Sequence, residues 1–180
     1  MQKLAMDELN RISTEQFKKE ANGNLVVVLD NVRSMNNVGS IFRTSDAFKV
    51  GKVYLCGVTA TPPHREIHKT ALGATESVNW AYFQTTTEAI ELLRAEDYQI
   101  VAVEQTNQSI YLQDFQPSKE KKYAFVFGNE AFGISEEILP LCDIGLEIPQ
   151  FGTKHSFNIV VSAGIVLWHY AYLTAFTNLR

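Results

Sequence analysis

Short apolar runs alternate with amphipathic segments along most of this chain. The strongest run, residues 25–29, consists only of Leu and Val, and helix-type spacing follows it after a polar loop. Runs without polar alternation are typical of strands that are buried on both faces of a sheet. Since such strands alternate with helices here, the pattern predicts a parallel α/β sheet with helices on both faces, a three-layer α/β/α domain.

The same pattern assigns the individual elements. Strands are predicted at residues 24–30, 52–57, 78–83, 98–104, 123–127 and 144–148. Helices are predicted for the segment from Met6 to Glu20, for residues 38–48, for a short piece ending near Gly73, for residues 87–96 with Thr86 as N-cap, for a short segment capped by Ser135, and after Ser156. Since nothing resembles a linker, we expect a helical extension at residues 1–22 and a single domain at residues 23–180.

Composition narrows the class of protein. The 180 residues are 46% hydrophobic and carry a net charge of −4, which argues against a protein that coats nucleic acid but leaves local basic patches open. Cys56 and Cys142 lie among apolar neighbours without a CxxC pair, and no secretory leader opens the chain, so we expect a cytoplasmic protein with reduced cysteines. Residues 157–176 have the length of a membrane helix, but Asn158 and His169 favour a buried helix instead.

Three loops carry polar and glycine residues directly after predicted strands. They are residues 30–48, 128–135 and 148–158. Because ligands of parallel sheets bind where strands feed into helices, we expect the three loops to meet at one edge. Arg43 falls within about two turns of a helix start, where it can meet an anion. Asn158 begins an otherwise apolar helix, and its amide needs hydrogen-bond partners.

Several common chemistries do not fit these loops. Gly128 and Gly133 have phosphate-loop spacing, but Ile134-Ser135 stands where Lys-Ser/Thr is required, and no GxGxxG follows a strand. A serine triad is disfavoured because Ser156 and His155 are adjacent in the chain, and neither cysteine lies in the loops. His64 and His68 have helical spacing but lack a third ligand nearby, so no metal site is expected.

Together the three loops resemble the signature blocks of the SpoU (TrmH-like) family, within the SPOUT superfamily of RNA methyltransferases. The blocks read NVRSMNNVGSIFRTSDAF, FVFGNEAFGIS and IPQFGTKHSFNIVVSAGIVLWHY, in that order. Two positions depart from the family pattern: Phe157 stands where leucine is usual, and Gln150 stands where methionine is common. Both changes leave the backbone roles intact but reshape the expected cofactor pocket.

The resemblance implies S-adenosylmethionine as methyl donor, transfer to a ribose 2′-hydroxyl of tRNA or rRNA, a homodimer and a C-terminal trefoil knot. The positions that match catalytic and neighbouring polar residues of the family are Arg43, Glu130, Ser156, Asn158 and Asn37. The positions that match the cofactor pocket are Gly128, Ile148, Phe157, Phe127 and Gln150. Arg33, Arg65, Lys69 and Lys154 lie in or beside the loops and are candidate RNA contacts.

Some alternatives stay open at this point. A guanidinium is in general a poor base, so Arg43 either acts as a base that its site perturbs or stays charged and binds the adjacent phosphate; the second is favoured. Methylation of a guanine nitrogen by a knotted relative is the alternative reaction, and a non-catalytic RNA-binding module is the alternative class. Because few residues precede the first predicted strand, tRNA is favoured over rRNA as substrate.

Overall fold

A computed structural model describes residues 1–5, 7–9 and 11–175 of the chain. The α-helices are α1 (Thr14–Glu20), α2 (Met35–Ala47), α3 (Arg65–Ala71), α4 (Ala74–Ser77), α5 (Thr86–Ala95) and α6 (Ile159–Thr174). The strands are β1 (Asn22–Asp30), β2 (Val50–Cys56), β3 (Asn79–Phe83), β4 (Tyr98–Val103), β5 (Ile110–Tyr111), β6 (Lys122–Phe127) and β7 (Ile144–Glu147). Three short 3-10 turns lie at Asp7–Leu9, Leu112–Asp114 and Leu139–Leu141.

The seven described strands form one sheet in the order β3-β2-β1-β6-β4-β7-β5. Every neighbouring pair is parallel. The C-terminal ends of β1, β6, β4 and β7 therefore lie side by side, and the loops that follow them share one edge of the sheet. This arrangement confirms the predicted parallel α/β architecture.

Both faces of the sheet are covered, which explains why its central strands are apolar throughout. On one face Val27 and Phe125 pack with Phe42 of α2 and Leu167 of α6. On the other face the alternate residues of the same strands pack against α5, as Val28 does with Leu93. Burial of side chains on both faces is the physical reason for the missing polar alternation.

The boundaries of several helices differ from the sequence prediction because other residues provide the caps. Helix α2 begins at Met35, three residues earlier than expected, since the Ser34 hydroxyl accepts the N–H of Asn37. Helix α5 is capped by Thr85, whose hydroxyl accepts the N–H of Glu88 at 3.2 Å. The predicted cap, Thr86, instead donates its hydroxyl to the buried carboxylate of Asp30 at 2.6 Å.

Three further expectations need correction. The predicted helix from Met6 to Glu20 is a 3-10 turn at Asp7–Leu9 followed by α1, which Ser13 caps; Met6 itself lies outside the described residues. The α-helix expected directly after Ser135 does not form: the Ser135 carbonyl accepts the N–H of Ile138 at 2.9 Å, and a 3-10 turn at Leu139–Leu141 follows. Strand β5 was not predicted; it has two residues and gains its order by pairing with β7.

Candidate functional site

A cavity of about 410 Å³ opens at the shared C-terminal edge of β6, β4 and β7. Its floor is apolar and includes Phe127, Leu146 and Ile159. Residues 128–134 form one wall, the loop after β7 forms the opposite wall, and Glu104 and Gln105 close the gap after β4. The three loops expected to meet thus lie at one edge, and two of them enclose a cavity.

The loop after β6 is a tight, internally bonded turn. Asn129 and Gly133 exchange backbone hydrogen bonds of 2.8 and 2.9 Å, and Gly133 has a positive φ of 70°. The Gly128 Cα lies so close to this turn that a Cβ there would stand 2.0 Å from the carbonyl carbon of Gly133. Glycine at residue 128 is therefore required for the turn to close against the end of β6.

Glu130 joins this turn to the loop after β1. Its Oε1 accepts the Asn37 side-chain amide at 2.8 Å and the N–H of Ser34 at 3.0 Å, and its Oε2 accepts the N–H of Arg33 at 3.1 Å. The Asn158 amide in turn donates to Asn37 Oδ1 at 3.4 Å. One carboxylate thus fixes the start of α2, and through Asn37 it reaches the start of α6.

The protonation of Glu130 follows from these contacts. Partial loss of hydration raises the pKa of the Glu130 carboxyl, but hydrogen bonds from Asn37 and from backbone N–H groups outweigh this effect and hold the pKa below its usual range. The carboxylate is therefore ionised at neutral pH. It is suited to hold donors in place rather than to deliver a proton.

We expect the substitution Glu130→Gln to remove a pH-dependent part of the stability. Because the pKa is lowered in the folded protein, the contribution of the carboxylate is fully present above the pKa of an unperturbed glutamate, about 4.3, and is lost as the pH falls through the lower folded value. Chemical unfolding of both proteins between pH 3 and pH 7 measures the difference in unfolding free energy. A difference that does not change with pH would contradict this account, and Glu137→Gln, at a neighbouring exposed carboxylate, is the control.

The predicted cofactor positions all border the cavity. Phe127, Gly128, Ile148, Gln150 and Phe157 line it, together with Glu130 and Ser156. Asn37 and Asn158 do not line the cavity but join Glu130 through hydrogen bonds. The structure therefore brings together nine of the ten positions that were grouped as catalytic or cofactor-binding.

Arg43 is the exception. It follows Asn37 by six residues on α2, which places it about 9 Å further along the axis and about 240° around it. It is exposed and does not border the cavity. Instead it follows Gly39 by one turn, and the Gly39 Cα packs against Ile67 and Thr70 of α3. In a single chain the arginine therefore lies on a different side of α2 from the other polar residues.

The four candidate RNA-binding residues are exposed and form two separate groups on the surface. The Arg33 backbone contacts Glu130, and Lys154 precedes His155 of the cavity wall, so both lie beside the cavity. Arg65 and Lys69 lie on α3, where Arg65 Nε is 4.0 Å from Glu66. Helix α3 packs on α2, so this second group lies on the same side of the molecule as Arg43.

The cap of α6 differs from the expectation. Asn158, rather than Ser156, is the N-cap, and its Oδ1 accepts the N–H of Val160 at 2.8 Å. The Asn158 amide also donates a hydrogen bond to Asn37. Asn37 is therefore the hydrogen-bond partner that the sequence predicts for the Asn158 amide. Ser156 is left exposed in the cavity wall.

Two kinds of residue were missed by the sequence reasoning. Glu104 and Gln105 line the cavity after β4, and two polar residues directly after a buried strand are the same signal that identified the other loops. Asp30 is fully buried and accepts Asn31, Thr86 and the N–H of Ser135. An ionisable residue at the end of an apolar strand was the signal that could have indicated this role.

The two cysteines do not add a nucleophile to the site. Burial raises the pKa of the Cys56 thiol to about 12 and that of Cys142 to about 11, so neither supplies a thiolate at neutral pH. Within the described ranges, no three His, Cys, Asp or Glu side chains are grouped so as to hold a metal ion. None of the helices in the described part is long and apolar enough to cross a membrane.

Known proteins share this chain's sequence pattern and its fold. A tRNA (guanosine(18)-2′-O)-methyltransferase of Aquifex aeolicus is 31% identical over 148 residues, which cover 80% of this chain and 67% of the relative. The enzyme of that name from Borreliella burgdorferi is 28% identical over 144 residues, 80% of this chain and 64% of the relative. The chain thus spans about two thirds of the length of these relatives.

The structural neighbours agree. An AdoMet-bound rRNA methyltransferase from Sinorhizobium meliloti superposes with a TM-score of 0.78 and 28% identity, over 87% of this chain and 59% of that one. The model of the SpoU rRNA Methylase family matches residues 24–168, which include all three signature loops down to Trp168 of α6. This chain therefore belongs to the SpoU rRNA methylase family.

Proposed function

We propose that the protein transfers a methyl group from S-adenosylmethionine to a ribose 2′-hydroxyl of RNA. The observation that carries the proposal is the charge of the cavity. Its lining includes four glutamates, at residues 104, 130, 136 and 147, and one histidine, but neither lysine nor arginine among the described residues. Such a wall favours a ligand with positive charge and disfavours a cofactor that bears phosphates.

The shape of the cavity fits the same donor. S-adenosylmethionine combines a flat adenine, a ribose and a positively charged sulfonium. The apolar floor formed by Phe127, Leu146 and Ile159 suits an aromatic ring, and the turn at residues 128–133 brings backbone groups to its edge. We therefore assign Gly128, Ile148, Phe157, Phe127 and Gln150 to the donor, in agreement with the resemblance of their motifs.

Methyl transfer depends more on the relative position of the methyl group and the 2′-hydroxyl than on the stabilisation of new charge. The bound donor supplies an electrophilic methyl group, and in-line transfer requires the 2′-hydroxyl to lie within reach of it. Glu130, Asn37 and Asn158 form one hydrogen-bonded chain, so we propose that they fix the geometry of the loops around the methyl group. Ser156, exposed in the cavity wall, is the predicted catalytic residue that places a hydroxyl at the cavity.

Arg43 is proposed to act on the RNA side. It is exposed on the side of α2 that bears α3, with Arg65 and Lys69 on the neighbouring helix. A guanidinium there can bind the phosphate next to the reacting ribose in a bidentate manner, and its charge favours loss of the hydroxyl proton. Arg33 and Lys154, which lie beside the cavity, are proposed to bind further phosphates of the RNA.

The assembly state is a further part of the proposal. Val161, Trp168 and Tyr172 share one face of α6, each about half exposed, and the two aromatic rings stack at 5.1 Å. An exposed apolar face of this kind supports a homodimer through α6. Sedimentation equilibrium distinguishes the outcomes, since a mass of one chain at micromolar concentration would contradict the dimer.

We infer from the family resemblance that the loops after β6 and β7 belong to a trefoil knot, and stretching the chain by its ends tests this, since a knot shortens the extended length. We also propose that residues 1–22 are an extension of the domain at residues 23–180. Burial of Phe17 from α1 in the main core supports a packed extension.

Methylation of purified RNA tests the function. The protein is incubated with S-adenosylmethionine carrying a labelled methyl group and with either total tRNA or rRNA, and the modified nucleosides are identified by mass spectrometry. We expect a 2′-O-methylated nucleoside, with tRNA as the better substrate. A methylated guanine base would support the alternative reaction, and absence of donor binding by calorimetry would rule the proposal out.

A further inference from the structure

The loop at residues 149–157 is held to the rest of the described protein by few hydrogen bonds. Seven of its residues, 151–157, are exposed, and the loop has no regular secondary structure. Among the residues that the structure describes, one hydrogen bond joins residues 149–157 to the rest of the protein. It runs from the Gln105 side-chain amide to the backbone carbonyl of His155, at 3.0 Å.

Glu104, which precedes Gln105 in the chain, is hydrogen-bonded to the opposite wall of the cavity. Glu104 Oε2 accepts the N–H of Ile134 at 3.2 Å, and Oε1 accepts the N–H of Gln105 at 2.9 Å. The carboxylate fits closely under the turn, because a Cβ on Gly133 would lie 2.2 Å from Oε2. The backbone of Glu104 is itself anchored, since its N–H donates to Leu146 of β7 at 3.1 Å.

These contacts span the cavity. Glu104 and Gln105 are adjacent in the chain and both line the cavity, yet their side chains bond to loops on its two opposite sides. The end of β4 lies between β6 and β7 in the sheet, so this pair of residues is the direct link between the two loops.

We propose that Glu104 and Gln105 are positioning residues that set the spacing of the two donor-holding loops, and that Gln105 keeps residues 149–157 over the cavity. The inference rests on the proposed function in one respect, since it takes the cavity to be the donor site. Glu104 and Gln105 themselves act through Ile134 and His155. Their effect therefore falls on donor affinity rather than on the binding of RNA.

Two variants test the proposal by donor binding. Gln105→Ala removes one neutral hydrogen bond, so the Kd for S-adenosylmethionine is expected to rise about 2- to 10-fold. Glu104→Gln preserves size but sets an amide N–H against a backbone N–H, and the Kd is expected to rise about 10-fold. Calorimetry measures both, and thermal unfolding identifies a variant that fails to fold.

A second readout does not depend on the donor. Lys154 is the one trypsin site within residues 149–157 and is exposed. Gln105→Ala is expected to speed cleavage after Lys154 several-fold in donor-free protein, with the melting temperature unchanged, because the loop loses its hydrogen bond. Mass spectrometry of the fragments identifies the cleaved bond.

The matched control is Gln108→Ala. Gln108 is exposed in the same loop after β4, and its side chain makes no hydrogen bond among the described residues. It should leave donor affinity and cleavage at Lys154 unchanged. Wild-type values for Gln105→Ala in both measurements would overturn the proposal while the proposed function stands. If the wild-type protein binds no donor, the proposed function fails, and the cleavage rate alone then decides whether Gln105 holds the loop.

Discussion

Replacement of Arg43 by alanine is expected to lower kcat/KM for RNA methylation by at least about 100-fold, the scale found when one electrostatic stabilising group is removed. Arg43 is exposed and lies outside the cavity, so the fold and the Kd for S-adenosylmethionine should stay unchanged. The loss then reports on the RNA side of the reaction. Methyl incorporation into tRNA at saturating donor, with calorimetry in parallel, measures the two effects separately.

Two companion variants make this result specific. Arg94→Ala also removes one positive charge. Arg94 contacts Leu141 and Asp143 just before β7, at the N-terminal ends of the strands and away from the cavity, so this variant should retain activity. Arg43→Lys keeps the charge without the bidentate geometry, so a phosphate-binding role predicts partial activity with an unchanged pH dependence. A shifted pH profile in Arg43→Lys would favour the role as a base. Full activity of Arg43→Ala would remove the residue from the mechanism.

Replacement of Gly128 by alanine is expected to weaken donor binding by about 5- to 150-fold, since overpacking of this kind costs about 1–3 kcal/mol in a close-packed region. A methyl group there would stand 2.0 Å from the Gly133 carbonyl carbon and 2.1 Å from the Ile134 nitrogen, both backbone atoms that cannot rotate away. The turn at residues 129–133 must therefore move. Because this turn also carries Glu130, the contacts to Arg33, Ser34 and Asn37 should loosen with it.

Gly23→Ala is the matched control for this substitution. A Cβ on Gly23 would meet no atom within 4 Å, and the residue lies at the start of β1, away from the cavity. Its donor affinity and melting temperature should be close to wild type. A Gly128→Ala protein that bound S-adenosylmethionine with wild-type affinity would show that the turn at residues 129–133 does not shape the donor site.

The sequence predicted most of the fold because its main signal is local. Burial of a strand on both faces removes polar alternation, so the runs in β1 and β6 were recognisable without any tertiary information. The errors concern helix ends, the short helix expected after Ser135, and β5. Thr85 and Thr86, like Ser156 and Asn158, are neighbouring residues that can each cap a helix, and long-range contacts to Asp30 and Asn37 decide between them.

The same distinction between local patterns and long-range contacts applies to the candidate site. The sequence by itself determined which loops follow buried strands, that Gly128 and Glu130 occupy a turn, and that Arg43 lies on a helix next to that edge. Only the tertiary structure decided that Glu130, Asn37 and Asn158 form one hydrogen-bonded chain, and that Glu104 and Gln105 join loops on opposite sides of the cavity. The physical reason is the separation of the contacting residues along the chain, because a residue pattern reports only the environment along one element. Contacts between residues about 30 to 120 positions apart depend on strand order and on packing, which the pattern does not contain.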